Sequence, residues 1–446
     1  MTQSGDRTFD AIVVGGNLCG IVSAWLLGEL GFRVALVEKG KRLGGANSSF
    51  STADGSTFDM GMHVLDYMRS EVTTRLFLKA IDGKAHKVLL RRAMVLRGHV
   101  IPYNAPPAQF PDELRKLLPG DDLVDTIGAE LPTRKRLREA YGAYADFIYD
   151  EVLPAYPCEL RHKTLGVDES RLLTNIYPWF FPRARRERIV DGESRPFHDR
   201  LRSGEDQYIL YPHEHGFAGF ARAFLAKMAD SVEVICDIPD LDFVVEPGTH
   251  RVTHAVANGG RLLARRWFWC ARWPQLLGLL GLPTQNLAHD NLLLGSFRFN
   301  EPALGDYNEL IVGDPALHLD RVNYPGKFNC SGAPQLQCEY AFPVADGERL
   351  GLPLEADFWR ERWLDNLRRI GLIDDRHTVE SFDFRNFRMN FNSFGAEGEP
   401  RVEADAGLIR DDGNIVAVAP TTQNRNLNGS VPLWLESITQ ALARVP

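Results

Sequence analysis

The 446-residue chain has no C-x-x-C pair and no G-x-S-x-G elbow, so neither a thioredoxin-like redox motif nor a serine hydrolase is indicated. Its six cysteines (Cys19, Cys158, Cys236, Cys270, Cys330, Cys338) are scattered, which argues against a disulfide framework and against a zinc site, and fits a reducing cytoplasmic compartment. The only close histidine pair with an acid is H-E-H at 213–215, too tight to be a metal motif, so no metal is expected. Basic residues do not exceed acidic ones: 51 Lys+Arg against 59 Asp+Glu leave a net charge of −8, and nonspecific nucleic-acid binding is not expected. No repeat or low-complexity tract occurs. One uncharged run, AIVVGGNLCGIVSAWLLG (11–28), approaches membrane-spanning length, but Gly15, Gly16 and Asn17 cut it into a strand and a helix. No basic region precedes it, so neither a signal nor an integral membrane segment is expected.

What is present begins as β-α-β. FDAIVV (9–14) is a buried strand ended by Gly15-Gly16. Residues 18–30 have helical spacing, with Leu18, Ile21, Val22, Trp25 and Leu26 on one face, and RVALVE (33–38) is a second buried strand. A right-handed crossover makes this a Rossmann-type unit. KVLL and AMVLRGHVIPYN (86–111) give short strands with Gly98 at a turn, and 120–185 reads as charged helix. YILYP, a helix near 220–230 and VEVIC (208–238) look like a return to the first unit. LQCEYAFPV is a strand candidate, 356–371 an amphipathic helix, NIVAVA a buried strand and 431–443 a helix. The alternation predicts an α/β fold in which two domains are interleaved: 1–85, 205–290 and 400–446 form a Rossmann-type unit, and 86–204 and 291–399 a mixed α+β substrate domain.

The turn V-G-G-N-L-C-G (14–20) has Gly15 and Gly20 at the first and third positions of a G-x-G-x-x-G dinucleotide fingerprint, with Asn17 at the second. Asn tolerates positive φ, but its side chain is expected to crowd a pyrophosphate. Glu38 closes the second strand, where a carboxylate can accept ribose hydroxyls. R-L-G-G-A-N-S-S (42–49) adds a second Gly pair. G-G-x-x-x-G, V-x-L-V-E-K and R-x-G-G together resemble the FAD domain of the amine oxidase, protoporphyrinogen oxidase and UDP-galactopyranose mutase group, a glutathione reductase-like architecture. The resemblance implies non-covalent FAD held by Gly15, Gly16, Asn17, Cys19, Gly20, Glu38, Lys39, Gly44, Gly45 and Ala46. D-M-G-M-H-V-L (59–65) is similar to the D-x-G-x-H segment that the group places beside the flavin, which brings in Gly61 and His63. V-L-R-G-H-V-I-P-Y-N (95–104) resembles the hairpin opening the substrate domain. R-H-K-T-L-G-V-D-E-S-R-L (161–172) resembles a helix-bordering motif, with Leu165 where Trp is usual. Y-P-H-E-H-G-F-A-G-F (211–220) matches the return into the FAD domain, with His215 in place of a glycine. G-N-I-V-A-V-A (413–419) and G-S-V-P-L-W-L-E-S-I (429–438) resemble the group's last strand and helix, and that resemblance implies that backbone N–H groups of Gly429, Ser430 and Val431 face the flavin pyrimidine ring.

Three functions follow from the resemblance. The leading expectation is an enzyme of the mutase kind, isomerising a nucleotide sugar through reduced flavin. The alternative is an FAD-dependent oxidase or dehydrogenase, and the third a non-catalytic flavin-fold binding protein. A sugar diphosphate calls for arginines, since guanidinium pairs bidentately with phosphate. Arg385 and Arg388 in F-R-N-F-R-M-N-F-N (384–392) and Arg425 in Q-N-R-N-L-N (423–428) are the candidates. R-A-R-R-E-R (183–188) with Arg195 and Arg200 reads better as a solvated face. The partner is a small-molecule substrate, with a homodimer as a further expectation.

Overall fold

The computed structural model describes residues 5–102, 111–116, 206–283, 290–312, 317–389, 406–407, 409–411, 413–418 and 427–443. The expected 120–185 helices, the 161–172 motif, the 183–188 cluster, Arg195, Arg200 and Arg425 lie outside them.

Strand β1 (Arg7–Val14), helix α1 (Leu18–Glu29) and strand β2 (Val34–Val37) follow the sequence reading to within two residues at each end. β1 and β2 are parallel neighbours in a seven-stranded sheet, which β10 (Val232–Ile235), β11 (Leu241–Val245), β12 (Val252–Ala257), β13 (Gly260–Trp269) and β19 (Ile415–Ala417) complete. The order is β10-β2-β1-β13-β12-β11, and β19 pairs with the C-terminal end of β13 beside β12. At the centre of this sheet β2 and the later parts of β1 and β13 are apolar because both faces are buried there, whereas β10 and β11 at its edges are largely exposed. Ala11, Val13, Val34, Leu36 and Phe268 enter one core, while Ile12, Val14, Ala35, Val37, Trp267 and Trp269 enter the other.

Helix α1 corrects the amphipathic reading. Cys19, Gly20, Ser23, Ala24, Leu27 and Gly28 are buried along with Leu18, Ile21, Val22 and Trp25, and only Leu26 of the predicted stripe is half-exposed. The helix is enclosed because α4 (Ala218–Ala226) and α9 (Leu427–Ala443) pack on the side away from the sheet. A helix covered all round shows little amphipathic periodicity. α9 begins four residues before the predicted 431, and it also packs on α2 (Glu71–Ala80) and β5 (Leu65–Asp66).

A second seven-stranded sheet has the order β18-β14-β17-β16-β15-β7-β8. Its strands are β7 (Arg92–Leu96), β8 (His99–Pro102), β14 (Asp290–Phe299), β15 (Glu309–Val312), β16 (Arg321–Asn323), β17 (Gln335–Pro343) and β18 (Val379–Met389). The predicted AMVLRGHVIPYN strand is the β7–β8 hairpin. Its two-residue turn, Arg97-Gly98, has φ of +49° and +76°, the left-handed pair of a type I′ turn. One face of this sheet packs Leu293, Phe297, Phe299, Leu336 and Val322 against Trp359, Trp363 and Leu367 of α8 (Ala356–Arg369), after the short helices α3 (Asp112–Arg115), α5 (Trp273–Leu279), α6 (Pro325–Phe328) and α7 (Val344–Leu350). Its other face carries a row of polar side chains beside apolar ones such as Leu294, Ile311 and Met94. Two smaller sheets, β3 (Ser49–Ser51) with β4 (Thr57–Asp59), and β5 and β6 (Ala85–Leu89) flanking β9 (Tyr208–Pro212), complete the set. Among the described residues no helix is long and apolar enough to cross a membrane.

Candidate functional site

The β1–α1 turn is held by close backbone contact. Gly15 has φ +109° and donates its N–H to the Val37 carbonyl at 2.8 Å, and a Cβ on Gly20 would lie 1.8 Å from the Gly15 carbonyl oxygen. The first turn of α1 therefore sits directly on the loop, and its positive end faces the turn. Asn17 departs from expectation. Its φ is −75°, not positive, and its side chain is turned back into the protein: Oδ1 accepts the Gly20 N–H at 3.1 Å and Nδ2 donates to the Cys270 carbonyl at 2.7 Å. Asn17 is thus an N-cap tied to the end of β13, and it does not crowd the mouth of the turn.

Glu38 spans two loops. Its Oε2 accepts the Gly16 N–H at 2.6 Å and its Oε1 accepts the Gly40 N–H at 2.8 Å. A carboxylate has about four lone-pair sites, so capacity for ribose hydroxyls remains. The second Gly pair lies alongside: Gly44 bridges Asn17 and donates its N–H to the Gly16 carbonyl at 2.7 Å. Gly45 and Ala46 open a 3-10 turn (Gly45–Asn47) at the exposed edge, and Lys39 is also exposed. Cys19 is buried against Cys270, and burial pushes its thiol well above the usual range, so it packs and does not react.

The D-M-G-M-H segment lies between the two large sheets. Asp59 is buried and accepts from Ser49 Oγ (2.6 Å), Tyr211 Oη (2.7 Å) and the Phe217 N–H (2.9 Å). Burial pushes its carboxyl up to about 6 in spite of those three donors, and the nearby Glu339 adds to the rise. Gly216 makes this possible, since a Cβ there would meet Asp59 Oδ1 and Ser49 Oγ, both at 2.6 Å. His215, standing where the group has glycine, is left-handed at φ +68°. The His63 ring packs against Phe217 at 5.5 Å between centroids, and its Nδ1 lies 2.9 Å from the Gly61 carbonyl. A carbonyl only accepts, so Nδ1 carries the proton and Nε2 presents a lone pair. Desolvation, aided by the positive charge of Arg321, pushes the imidazole down to about 4, so His63 is neutral at pH 7.

The polar face of the second sheet meets this segment. Directly opposed residues form an unbroken polar rung, Asp383–Ser296–Gln337–Asn323–Glu309–Arg92, across β18, β14, β17, β16, β15 and β7. Gln337 Nε2 donates to the Asp59 carbonyl at 2.8 Å, and the Met62 N–H donates to Glu339 Oε1 at 2.6 Å. Arg321 lies between Glu309 Oε1 (3.3 Å) and Glu339 Oε2 (3.6 Å), and Arg92 pairs with Glu309. Sequence reasoning missed this face. Its only signal is the period-2 run Gln335, Gln337, Glu339, which ordinarily marks a solvent-facing side.

Of the three candidate arginines, only Arg385 has its side chain among the described residues. Arg385 reaches the β3–β4 hairpin, its guanidinium 3.6 Å from the Phe50 ring centroid and Nε 2.7 Å from Asp383 Oδ1. Arg388 holds a position of opposite parity on the same strand, opposed to Asn291, and its side chain lies outside the described residues. At the C-terminal helix, Gly429 and Ser430 fall in the first turn of α9. Val431 is the fifth residue, so its N–H falls within reach of the Leu427 carbonyl, which does not fit the expected donation. Among the described residues no three His, Cys, Asp or Glu side chains form a metal-sized group. The chain's one H-x-x-x-H spacing, His250 and His254, runs into strand β12 and so has no helical face.

A family model for the NAD(P)-binding Rossmann-like domain matches residues 13–79. Reduced UDP-galactopyranose mutase superposes with a TM-score of 0.71 at 13% identity, covering 98% of this chain and 95% of that one. A protein assigned as a protoporphyrinogen oxidase from Exiguobacterium sp. 255-15 gives 0.65 at 14% identity, with full coverage of both chains (100% each). Putrescine oxidase bound to putrescine gives 0.58 at 14% identity, covering 98% of this chain and 100% of that one. In sequence, pyridine nucleotide-disulfide oxidoreductase domain-containing protein 2 of Rattus norvegicus is 27% identical over 183 residues, 38% of this chain but only 29% of that protein. The chain therefore has the α/β fold shared by the mutase and the oxidases, with a Rossmann-like dinucleotide-binding unit at its start, as its motifs imply.

Proposed function

We propose that this protein is an FAD-dependent oxidoreductase acting on a small polar substrate held between the His63 segment and the polar face of the second sheet. The observation that carries this reading is the approach of three backbone turns around one carboxylate: Gly16 and Gly40 both donate to Glu38, and Gly44 donates to Gly16. That cradle lies at the positive end of α1, which favours a diphosphate, and its carboxylate keeps lone pairs for ribose hydroxyls, and so it fits a dinucleotide. Gly15, Gly16, Gly20, Glu38, Gly44 and Gly45 would hold it, with Gly61, Gly429 and Ser430 nearer the ring. Bound FAD supplies two-electron chemistry to the site. The chain's own contribution is a neutral imidazole at His63, whose Nε2 can accept a hydrogen bond or a proton from a bound substrate. Buried amides and carboxylates of the second sheet fix polar groups opposite it. The division into a Rossmann-type unit (1–85, 205–290, 400–446) and a substrate domain (86–204, 291–399), residence in the cytoplasm, and a homodimer are part of the same proposal.

The mutase reading stands second, favoured by the 0.71 superposition on UDP-galactopyranose mutase. It needs uncommitted guanidinium groups for a diphosphate, and Arg385 is already stacked on Phe50 and paired with Asp383. The test is direct. Purified protein should be yellow, and in the oxidoreductase reading it turns over small amines or related donors from oxidised flavin with stoichiometric acceptor consumption. Isomerisation of a nucleotide sugar only after dithionite, without further reductant, would overturn that reading in favour of the mutase. Colourless protein that takes up no FAD would leave the non-catalytic flavin-fold reading.

A further inference from the structure

His63 belongs to the segment after β4, yet the bond that fixes its neighbour comes from the other end of the chain. The Met62 N–H donates to Glu339 Oε1 at 2.6 Å. Glu339 is itself fixed, since Asn323 Nδ2 donates to the same oxygen at 3.0 Å and Arg321 lies 3.6 Å from Oε2. Only 7% of its surface is exposed. Asn323 is aligned in turn by Gln337, whose Oε1 accepts at 3.2 Å and whose Nε2 reaches the Asp59 carbonyl at 2.8 Å. The peptide from Asp59 to His63 is therefore gripped by β17 at both ends, and Gly61 between them, at φ +87°, puts its carbonyl on His63 Nδ1.

We propose that Glu339 is a positioning residue for His63, setting the imidazole's tautomer and direction by holding the Met62 amide against the second sheet. This rests on the flavoenzyme reading only for its consequence in turnover; the positioning itself stands on the bonds just given. The charged groups facing the segment are Arg321 from β16, Glu339 from β17, Glu309 from β15, Arg92 from β7 and Asp59 from β4. Arg321 is balanced by the two glutamates, so the carboxylate of Glu339 has both an acceptor role and a charge role that substitutions can separate.

Glu339→Gln keeps an Oε1 acceptor for the Met62 and Asn323 donors and removes the charge. Glu339→Asp keeps the charge and withdraws the acceptor by about 1.5 Å, one carbon–carbon bond. In 15N-histidine-labelled protein, wild type should show His63 as a single Nδ1–H tautomer. Glu339→Gln should retain that signature, while Glu339→Asp should give exchange between tautomers. In flavin-loaded enzyme Glu339→Asp should lower kcat roughly 10- to 100-fold with KM within about threefold, the pattern of a displaced group. A single Nδ1–H tautomer in Glu339→Asp overturns the proposal, as does its loss in Glu339→Gln alone, which would make charge the agent. A tautomer change in Glu339→Asp with no effect on flavin turnover would uphold the positioning and remove His63 from the flavin chemistry.

Discussion

The two large sheets have the same number of strands and solve opposite problems. At its centre the Rossmann-side sheet buries both faces, so β2 and the later parts of β1 and β13 are apolar and the polar work is moved to their ends, where Gly15, Gly16, Asn17 and Glu38 use backbone N–H groups and caps. The second sheet buries one apolar face under Trp359 and Trp363 and turns the other, equally dry at Gln337 and Asn323, toward the His63 segment. One site is thus made from backbone and the other from side chains. A backbone site fails when atoms are added. A side-chain site fails when charge is moved.

The largest effect expected from that contrast is at Gly20. Gly20→Ala would place a methyl 1.8 Å from a carbonyl oxygen that the turn cannot move, and the variant should lose more than about 3 kcal/mol in urea denaturation, beyond ordinary overpacking. In the second sheet Gly295→Ala meets the Trp363 ring at 2.2 Å, a side chain that can shift, and should cost about 1–3 kcal/mol. Equal losses would break the distinction.

Next comes pH. Asp59 is raised to about 6 when folded, so between about pH 4 and 6 the native state binds more protons than the unfolded chain and stability falls as pH rises. His63 is lowered to about 4, so between about pH 4 and 6.5 the unfolded chain binds more protons and stability rises with pH. The two slopes oppose each other and nearly cancel in wild type. Asp59→Asn should leave a curve that climbs from pH 4 to 6.5, and His63→Asn one that falls from pH 4 to 6. Each should be displaced from wild type by on the order of 2–3 kcal/mol across its window. Parallel curves for wild type and both variants, measured by denaturant midpoint, would contradict the assignment.

Glu38→Gln tests the backbone site directly. One of its two N–H acceptors becomes an amide NH2, and FAD affinity should fall by about 1.5–3 kcal/mol in a fluorescence titration. Unchanged affinity would sever Glu38 from the cofactor. The smallest effect belongs to Arg385→Ala, which loses a half-exposed stack on Phe50 and should cost only about 0.5–1 kcal/mol of stability. A much larger loss confined to nucleotide-sugar binding would revive the mutase reading.

How much of this was legible follows from the same contrast. FDAIVV and VALVE announce themselves because a strand buried on both faces is an unbroken apolar run, and Arg97-Gly98 is visible as a hairpin turn because the glycine suits left-handed backbone. The role of Asn17 was not readable, since its partner carbonyl belongs to Cys270, far along the chain. Neither was the polar rung. Gln335, Gln337 and Glu339 alternate with Leu336 and Cys338 just as they would on a solvent-facing strand, and only Asp59 and Met62 coming to rest on them makes that face interior. Of the three candidate arginines, only the side chain of Arg385 is described, and the Phe50 ring on which it stacks lies in β3, far from it in sequence.

The placement of β13 bears on how the protein is made. Its flank carries β12, which arrives just before it in synthesis, and β19, whose Ala417 is paired with Trp269. At about 5–20 residues per second the ribosome needs on the order of ten seconds to travel from the one to the other. For that interval the end of β13 that carries Trp267 and Trp269 has an open edge, and α1 lacks the α9 cover that later encloses it. The nascent chain must therefore carry a nearly finished nucleotide cradle with one side still uncovered, which makes the stretch of translation before residue 415 the period when a chaperone has most to protect.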